Sequence, residues 1–180
     1  MGKVIIHATI TLDGFMADTN GGVDWMFGFP SADEDQTVVN GIMSELGAVV
    51  GGSNSTNTIG DDEMPYGGTL KIPVFEMTHV AHEPIEKDGT IFTFVVNDIE
   101  KAVAMAKAAA GDKSVSLLGG SVSRQCLKLG LVDEIVVHVV PLLLGEGISL
   151  FGGLGKRVEL ERIDTAAFAS ETHLRYRVVK

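Results

Sequence analysis

The sequence predicts one α/β domain, residues 1–180, with a twisted and mostly parallel sheet of about eight strands flanked by helices. Two observations carry this prediction. Segments rich in β-branched residues alternate through the middle of the chain with segments whose apolar residues keep helical spacing, as in βαβ units. The last two strand-like segments follow one another without a helix between them, which predicts an antiparallel edge at the C-terminus.

The first half of the chain is predicted to place one helix between two strands. In order, a strand, an irregular loop, a helix, a short strand and a polar surface loop are expected over residues 4–12, 13–30, 31–47, 48–50 and 53–71. Val, Ile and Thr dominate the first strand, and glycine-containing turn pairs fill the loop after it. Ser31 followed by Glu34 has the spacing of a capping box, which favours a helix that begins here.

The second half is predicted to contain six strands and two helices. Strands are expected over residues 73–78, 90–96, 114–118, 134–140, 158–163 and 172–179, and helices over residues 98–110 and 121–129. Asn97 is suited to cap the first of these helices, and Gly130 is suited to end the second. Gly119 and Gly120 predict a tight turn from a strand into that second helix.

The charge balance excludes some classes of partner. Twenty-four acidic residues against fourteen basic ones give a net charge of −10, whereas a nucleic-acid or anionic-membrane surface needs a basic stripe. We therefore expect neither partner. Residues 1–70 hold ten acids and one base, a balance of −9, so an anion bound there has to be held by backbone amides.

The chain is predicted to be a cytoplasmic protein. Its single cysteine, Cys126, cannot form an internal disulfide, so no oxidising compartment is implied. No apolar run approaches the 18–20 or so residues of a membrane span, and the N-terminal residues lack the pattern of a signal peptide.

Three strand ends carry residues suited to ligand binding, because ligands of open α/β sheets bind at the carboxyl ends of strands. Gly119, Gly120 and Ser121 lead a strand into a helix, whose free N–H groups attract phosphate. Residues 51–53 (GGS) end another strand, and Asp13 places a carboxylate at the end of the first. Taken alone, each of these segments is equally typical of an ordinary turn.

Other catalytic patterns are weak in this sequence. His79 and His82 have the spacing of two metal ligands, but they follow a strand and have no third ligand beside them, so no metal site is predicted. The histidines at positions 7, 138 and 173 lie inside predicted strands and are expected to be packed or half-exposed. There is no nucleophile elbow, which argues against a hydrolase.

Together the motifs resemble a known family. Residues 11–17 (TLDGFMA) are similar to its SLDGFIA segment, and residues 118–121 (LGGS), 130–134 (GLVDE) and 141–151 (PLLLGEGISLF) follow in its order and spacing. The chain resembles the dihydrofolate-reductase-like family typified by the C-terminal reductase domain of the bacterial bifunctional riboflavin-biosynthesis deaminase-reductase. The resemblance extends from Lys3 to Val179. It implies that family's sheet, reduction of a ribosylamino-pyrimidine with NADPH, and a homodimer.

The resemblance also implies roles for individual residues. The implied cofactor-binding residues are Gly51, Gly52, Ser53, Thr78, His79, Leu118, Gly119, Gly120 and Ser121. The implied substrate-binding residues are Trp25, Gly145 and Phe151. Asp13 is the implied catalytic residue, which would orient the substrate or relay a proton.

Two departures from the family bear on function. The family has Gly-Arg-x-Thr where this chain has residues 51–54 (GGSN), and the riboflavin enzymes carry Lys where this chain has Phe15. We expect an NAD(P)H-dependent reductase of a small heterocycle, with NADPH as cofactor and NADH as the alternative. The competing hypothesis is a catalytically idle homodimer of the same fold that binds a nucleotide or metabolite. Dihydrofolate reduction is less favoured, because Glu34 and Asp35 are explained as first-turn charges of a helix.

Overall fold

The computed structural model describes residues 2–29, 32–53 and 64–180. The strands are β1 (Val4–Thr11), β2 (Phe15–Ala17), β3 (Leu46–Gly52), β4 (Val74–Thr78), β5 (Ile85–Lys87), β6 (Thr90–Val96), β7 (Ser114–Leu118), β8 (Glu134–Val140), β9 (Ile148–Ser149), β10 (Leu160–Ala167) and β11 (Thr172–Val178). The described α-helices are α1 (Asp33–Ser44), α2 (Ile99–Ala110) and α3 (Gly120–Lys128), and 3-10 turns cover Asp24–Gly28 and Pro65–Gly68.

Nine strands form one sheet in the order β10-β11-β8-β1-β7-β3-β4-β6-β5. The six strands from β8 to β6 run parallel, whereas β5, β11 and β10 run antiparallel to their neighbours. A small second sheet pairs β2 with β9. The predicted α/β class and the antiparallel C-terminal edge are confirmed.

Helices cover both faces of the sheet. Apolar side chains of α2 and α3 pack with β1, β3 and β7 in the largest buried cluster, which includes Ala102, Val122 and Leu117. On the other face, Ile42 of α1 packs against Ile5 and a few neighbouring side chains. Fully burying an aliphatic side chain contributes about 1.5–3 kcal/mol, so these clusters fix how the helices lie on the sheet. Among the described residues, no helix is both long and apolar enough to cross a bilayer.

An ion-pair cluster ties the end of α1 to the sheet. Arg175 of β11 donates to both carboxylate oxygens of Glu45 at 2.9 Å and, through Nε, to Glu134 Oε2 at 2.8 Å. Glu134 is buried and also accepts from Lys3, the residue before β1. The hydrogen bonds from Arg175 hold the pKa of Glu45 below its usual value.

Several predicted boundaries in the first half were wrong. The helix predicted to reach Gly47 ends at Ser44, because Leu46 is buried in β3 opposite Ser114. The short strand predicted over residues 48–50 is accordingly longer, and the loop predicted over residues 13–30 contains β2 and a 3-10 turn. Ser31 of the predicted capping box lies outside the described residues. Asp35, rather than Glu34, accepts the Ala32 N–H at 3.3 Å.

Other boundaries were wrong further along the chain. Residues 54–63 of the predicted surface loop lie outside the described residues, and in its remainder Tyr66 packs against two core clusters. Asp98 rather than Asn97 caps α2, with its carboxylate accepting the Lys101 N–H at 2.9 Å. The strand predicted over residues 158–163 is shifted to β10, and β5 and β9 were not predicted.

Phe92→Ala tests the packing of the sheet. Phe92 is fully buried (0% exposed) against Val49 and Val74, so truncation is expected to lower the free energy of unfolding by about 3–5 kcal/mol in urea denaturation. The matched control is Phe27→Ala, because Phe27 is 81% exposed and its loss is expected to change stability by no more than about 0.5 kcal/mol. Equal losses for the two variants would contradict this core.

Candidate functional site

A polar groove lies at the carboxyl ends of the parallel strands. Its volume is about 440 Å³, within the usual range of ligand sites. The residues that line it come from the ends of β3, β4, β6 and β7 and from α3: Gly52, Ser53, Met77, Thr78, His79, Asn97, Gly119, Ser121, Val122 and Gln125. Six of these were predicted from the sequence to bind a cofactor.

The start of α3 offers unpaired amides beside this groove. Gly119 turns the chain with a φ of +88°, a conformation that favours glycine, and α3 begins at the next residue. The N–H groups of Gly120, Ser121 and Val122 have no hydrogen-bond acceptor among the described residues, as expected for a first helical turn. Such a turn attracts anions through these amides and the helix dipole.

Gly120 is required for packing. A Cβ at this position would lie 2.9 Å from the carbonyl oxygen of Ser149 and 2.6 Å from Arg124 Nη1. The helix can therefore approach the β9 segment closely only with glycine here. Gly51 is likewise buried in the sheet, between β4 and β7. Both predicted residues support the groove from beneath rather than lining it.

The described lining of the groove contains no lysine or arginine. Arg124, on α3, uses Nη1 to donate to the carbonyls of Ser149 at 2.7 Å and Leu150 at 3.3 Å. The undescribed residues 54–63 contain no basic residue either. At the far end of the groove, His79 Nδ1 and Asn97 Oδ1 lie 2.6 Å apart, which fixes both side chains.

A second, mostly apolar pocket of about 270 Å³ adjoins the groove. Gly119 lines both cavities, so they meet at the turn between β7 and α3. The lining of the apolar pocket comes from β1, β2, β7, β8, α1 and the two 3-10 segments: His7, Ala8, Thr9, Met16, Val23, Met26, Val39, Tyr66, Leu118, Gly119 and His138. An elongated ligand could occupy the groove with one end and this pocket with the other.

A row of polar side chains, all buried except the half-buried Tyr66, crosses the sheet from the wall of the apolar pocket. We call it the histidine chain, and its members in order are Tyr66, His7, His138, His173 and Asp35. The Tyr66 hydroxyl lies 3.0 Å from His7 Nδ1, and His7 Nε2 lies 2.8 Å from His138 Nε2. His138 Nδ1 lies 2.6 Å from His173 Nδ1, and His173 Nε2 lies 2.9 Å from Asp35 Oδ1. All six ring nitrogens therefore have polar partners.

Burial keeps two of these histidines uncharged. It lowers the pKa of His7 to about 4, although the charge of Glu45 opposes the shift. It lowers the pKa of His138 to about 3, and the neighbouring His7 and His173 lower it further. Burial also raises the pKa of the Tyr66 hydroxyl, which contacts Ser116 Oγ at 2.6 Å.

Sequence reasoning missed the histidine chain. Each histidine was expected to be packed or half-exposed on its own strand, and all three are buried. The missing information was the pairing of the strands: His138 lies opposite His173 and also opposite Thr9, two residues along β1 from His7. Side chains two residues apart on a strand share a face, so the register alone brings the three rings together.

Two of these histidines lie near an acidic group. Glu171 Oε2 is 3.8 Å from His173 Nδ1 and has no hydrogen-bond partner among the described residues. With His138, these residues form a cluster that could hold a metal ion. However, two nitrogens bound to one tetrahedral zinc ion lie about 3.3 Å apart, given Zn–N bonds of about 2.0–2.1 Å. His138 Nδ1 and His173 Nδ1 are 2.6 Å apart, which is the distance of a hydrogen-bonded pair.

Asp13 ties the end of β1 to the loop before β9. Its carboxylate accepts from Thr11 Oγ1 at 2.5 Å and from the N–H groups of Gly145 at 2.8 Å and Leu144 at 3.3 Å. The Thr11 bond, and then the two amides, hold the pKa of Asp13 below its usual value. Asp13 lines neither cavity, and its predicted catalytic role stays a prediction.

None of the three predicted substrate residues belongs to the described lining of the apolar pocket. Trp25 lies in the 3-10 segment between the lining residues Val23 and Met26, and its indole Nε1 is buried without a partner among the described residues. Gly145 is exposed and holds Asp13. Phe151 packs against the main core cluster. Leu118, predicted to bind the cofactor, lines the apolar pocket.

Comparisons with known proteins match this chain to one family and to curated relatives. The model of the family described as RibD C-terminal domain matches residues 2–174. The "Uncharacterized protein YyaP" of Bacillus subtilis (strain 168) is 27% identical over 175 residues, covering 93% of this chain and 90% of that protein.

Solved structures agree with the family match. The crystal structure of a "Putative riboflavin biosynthesis protein" from Shewanella sp. PV-4 has a TM-score of 0.80 at 25% identity, covering 99% of each chain. Dihydrofolate reductase from Enterococcus faecalis, solved with NADP(H), shares the fold with a TM-score of 0.68 at 14% identity, covering 99% of this chain and 98% of that one. The resemblance inferred from the motifs is confirmed.

Asp13→Asn tests whether the Asp13 carboxylate holds the loop before β9. The amide cannot accept as strongly from two N–H groups and Thr11 together, so hydrogen exchange at Leu144 and Gly145 is expected to become faster. Asp18→Asn is the matched control, since Asp18 accepts from Asn20 and Gly22 in its own turn. Unchanged exchange at Leu144 and Gly145 in Asp13→Asn would show that the carboxylate does not hold this loop.

Proposed function

The chain belongs to the RibD C-terminal domain family, and from this premise we propose that it is an NAD(P)H-dependent reductase of a small heterocyclic substrate. One observation carries the proposal. A polar groove with unpaired helix amides lies at the carboxyl ends of parallel strands and opens at Gly119 into an apolar pocket. A dinucleotide has this same division between a polar phosphate-bearing part and a flat aromatic end.

The residues of the groove fit a nicotinamide dinucleotide. The amides at the start of α3 and the Ser53 and Ser121 hydroxyls would hold the diphosphate, and Thr78, His79 and Asn97 would meet the adenosine part. The nicotinamide end would enter the apolar pocket past Gly119. When bound, the reduced cofactor supplies a hydride to an electrophilic carbon of the substrate. NADPH is the proposed cofactor, with NADH as the alternative.

The apolar pocket favours a neutral heterocycle over a phosphorylated one. Methionine and valine side chains form much of its wall, and no lysine or arginine lines it among the described residues. The family's reductases act on 5-amino-6-(5-phosphoribosylamino)uracil, whose phosphate would need a cation here. We therefore propose a similar ring with a C=N bond and no phosphate.

A second candidate function is binding without turnover. The described groove has no cation for the cofactor's phosphates, and this observation favours a protein that holds a nucleotide or metabolite weakly without reducing a substrate. The two functions differ in one measurement. A reductase oxidises NADPH when supplied with heterocyclic imines, whereas the binding protein shows cofactor affinity and no oxidation.

Gly52→Arg tests the cofactor site. A Cβ on Gly52 would meet Val122 Cγ2 at 3.7 Å, an ordinary contact, so the side chain can enter the groove. A charge-assisted bond to a phosphate is worth about 1.5–3 kcal/mol, so the Kd for NADPH is expected to fall by about 10–150-fold. Trp25 fluorescence and calorimetry measure the binding, with NADH titrated in parallel.

Gly52→Gln is the matched control, since it adds a long polar side chain without a charge. Its affinity for NADPH is expected to stay close to that of the unaltered chain, and the gain in Gly52→Arg is expected to shrink at high salt. No binding of either cofactor at millimolar concentration, by either protein, would refute the cofactor site.

We also propose a cytoplasmic homodimer that pairs through β10. This strand is an outer edge of the sheet, and it exposes Leu160 and Ile163. An exposed edge with apolar side chains favours pairing with another chain. Light scattering after gel filtration is expected to give twice the chain mass of 19.1 kDa, and Leu160→Lys is expected to give monomers. Ile91→Lys, on an exposed residue of β6, is the control expected to remain dimeric.

A further inference from the structure

We propose that the histidine chain is a proton relay, which stores a proton at its Asp35 end and returns it through the sheet to a substrate in the apolar pocket. The inference rests on the proposed reductase, because reduction of a C=N bond consumes one proton for each hydride. The geometry carries it: four consecutive polar contacts of 2.6–3.0 Å join Tyr66 to Asp35 without a gap.

The direction of every hydrogen bond follows from one assignment. With Asp35 ionised, its carboxylate can only accept, so His173 must carry its proton on Nε2. A neutral imidazole has one N–H, so His173 Nδ1 accepts from His138 Nδ1–H. The same rule makes His7 Nε2–H donate to His138 Nε2, and it makes the Tyr66 hydroxyl donate to His7 Nδ1. Every donor in the chain then points toward Asp35.

One added proton reverses the whole chain. It binds the Tyr66 oxygen as the Tyr66 proton passes to His7 Nδ1, and each shared proton then moves one step toward Asp35. Once the Asp35–His173 pair holds an extra proton, His173 Nδ1 becomes a donor, and His138 Nδ1 must accept. His138 then carries its proton on Nε2, and His7 carries its proton on Nδ1. His7 now donates to the Tyr66 oxygen, so the Tyr66 O–H is released from His7. His7 and His138 remain neutral in both states and exchange tautomers.

The protons balance over one reduction. The Tyr66 O–H bond breaks as its proton passes to the substrate nitrogen, and the oxygen takes the proton of His7 Nδ1. Each ring takes a proton from the next along the chain, and the Asp35–His173 pair loses its extra proton. The chain thereby returns to its first arrangement. Both electrons of the new C–H bond arrive with the hydride, and the pair of the C=N π bond forms the new N–H bond.

The two ends of the chain lie in suitable places. Tyr66 and His7 line the apolar pocket, where the proton is consumed. At the other end, His173 lines a small surface pocket of about 80 Å³. Its neighbour Glu171 lines a separate open groove of about 250 Å³. The proton therefore enters and leaves the chain at Tyr66 and is stored at the His173 end.

The surrounding charges place the extra proton at that end. His173 lies 2.9 Å from Asp35 and 3.8 Å from Glu171, and Asp164 and Arg175 also line its pocket. At the other end, the hydrogen-bond partners of His7 are Tyr66 and His138, and Glu45 is the charged group that acts on it. The two carboxylates lie next to His173, whereas burial disfavours charge on His7 and His138.

Nitrogen-15 NMR of the histidine rings tests the relay without cofactor or substrate. A bare ring nitrogen and an N–H nitrogen give distinct shifts, so each tautomer can be identified. Between about pH 8 and about pH 5, His7 and His138 are expected to exchange their bare and protonated nitrogens together, at one midpoint. His79 and His82, which are exposed, provide reference signals outside the chain.

Asp35→Asn tests whether a change at the Asp35 end alters the tautomer exchange at His7. Removing the carboxylate that stabilises the added proton is expected to move the midpoint observed at His7 to lower pH by about 1–3 units. A merely structural role for Asp35 would not reach His7, which lies two rings away. Asp33→Asn, on an exposed residue in the same first turn of α1, is the matched control and is expected to leave the midpoint unchanged.

Several outcomes would overturn the relay. They are separate midpoints for His7 and His138, formation of imidazolium on either ring, and an unchanged midpoint in Asp35→Asn. Loss of the N–H signals of His138 and His173 on adding Zn²⁺ would instead identify a metal site. The cofactor titrations decide the proposed function separately. If the protein binds NADPH but its histidines titrate independently, the proposed reductase function stands and the relay does not.

Discussion

The parallel alignment of six central strands is the constraint on which the rest of the site depends. Because these strands run the same way, their carboxyl ends meet at one edge, and the turns after β3, β4 and β7 converge there. The groove is therefore built from turns whose sequences are far apart. Gly119 and Gly120 complete it: the first turns the chain into α3, and the second lets α3 approach Ser149. A side chain at Gly120 would push the helix and its amides away from the groove.

The charge of the site decides what it can bind. A dinucleotide brings negative phosphates, and the described groove meets them with amides and hydroxyls instead of cations. Arg124 lies on α3 but holds the β9 segment through two carbonyls, so it serves the architecture. Binding by dipoles alone is weaker than binding by charge-assisted bonds. Under the proposed function, this lining predicts a weakly held cofactor and a neutral substrate.

The sequence was sufficient for what depends on local pattern. Alternating elements predicted the fold class, and glycines at strand ends pointed to four residues that line the groove, Gly52, Ser53, Gly119 and Ser121. The family resemblance added Thr78 and His79. It was insufficient wherever a residue's role depends on a distant partner. Leu46 continues a helical pattern but is buried in a strand, because β7 lies beside it. Tyr66 lies in a polar, glycine-rich segment, yet its ring is held by His7 and Ser116, 59 and 50 positions away. The histidine chain needs the register of β1, β8 and β11, which no local pattern contains.

The energetics of the histidine chain argue that it is kept for more than stability. Burying three imidazoles and a carboxylate removes their hydration, and the hydrogen bonds within the chain do little more than compensate for that loss. Well-packed apolar side chains of similar volume commonly stabilise a core as much or more. Beside the chain, Glu171 Oε2 lies 3.8 Å from His173 Nδ1 and is buried without a hydrogen bond among the described residues, and burial raises the pKa of that carboxyl. The chain ends at the Asp35 carboxylate on one side and at the Tyr66 hydroxyl, which lines the apolar pocket, on the other. It is therefore placed to hold a proton at the first end and to exchange it at the second.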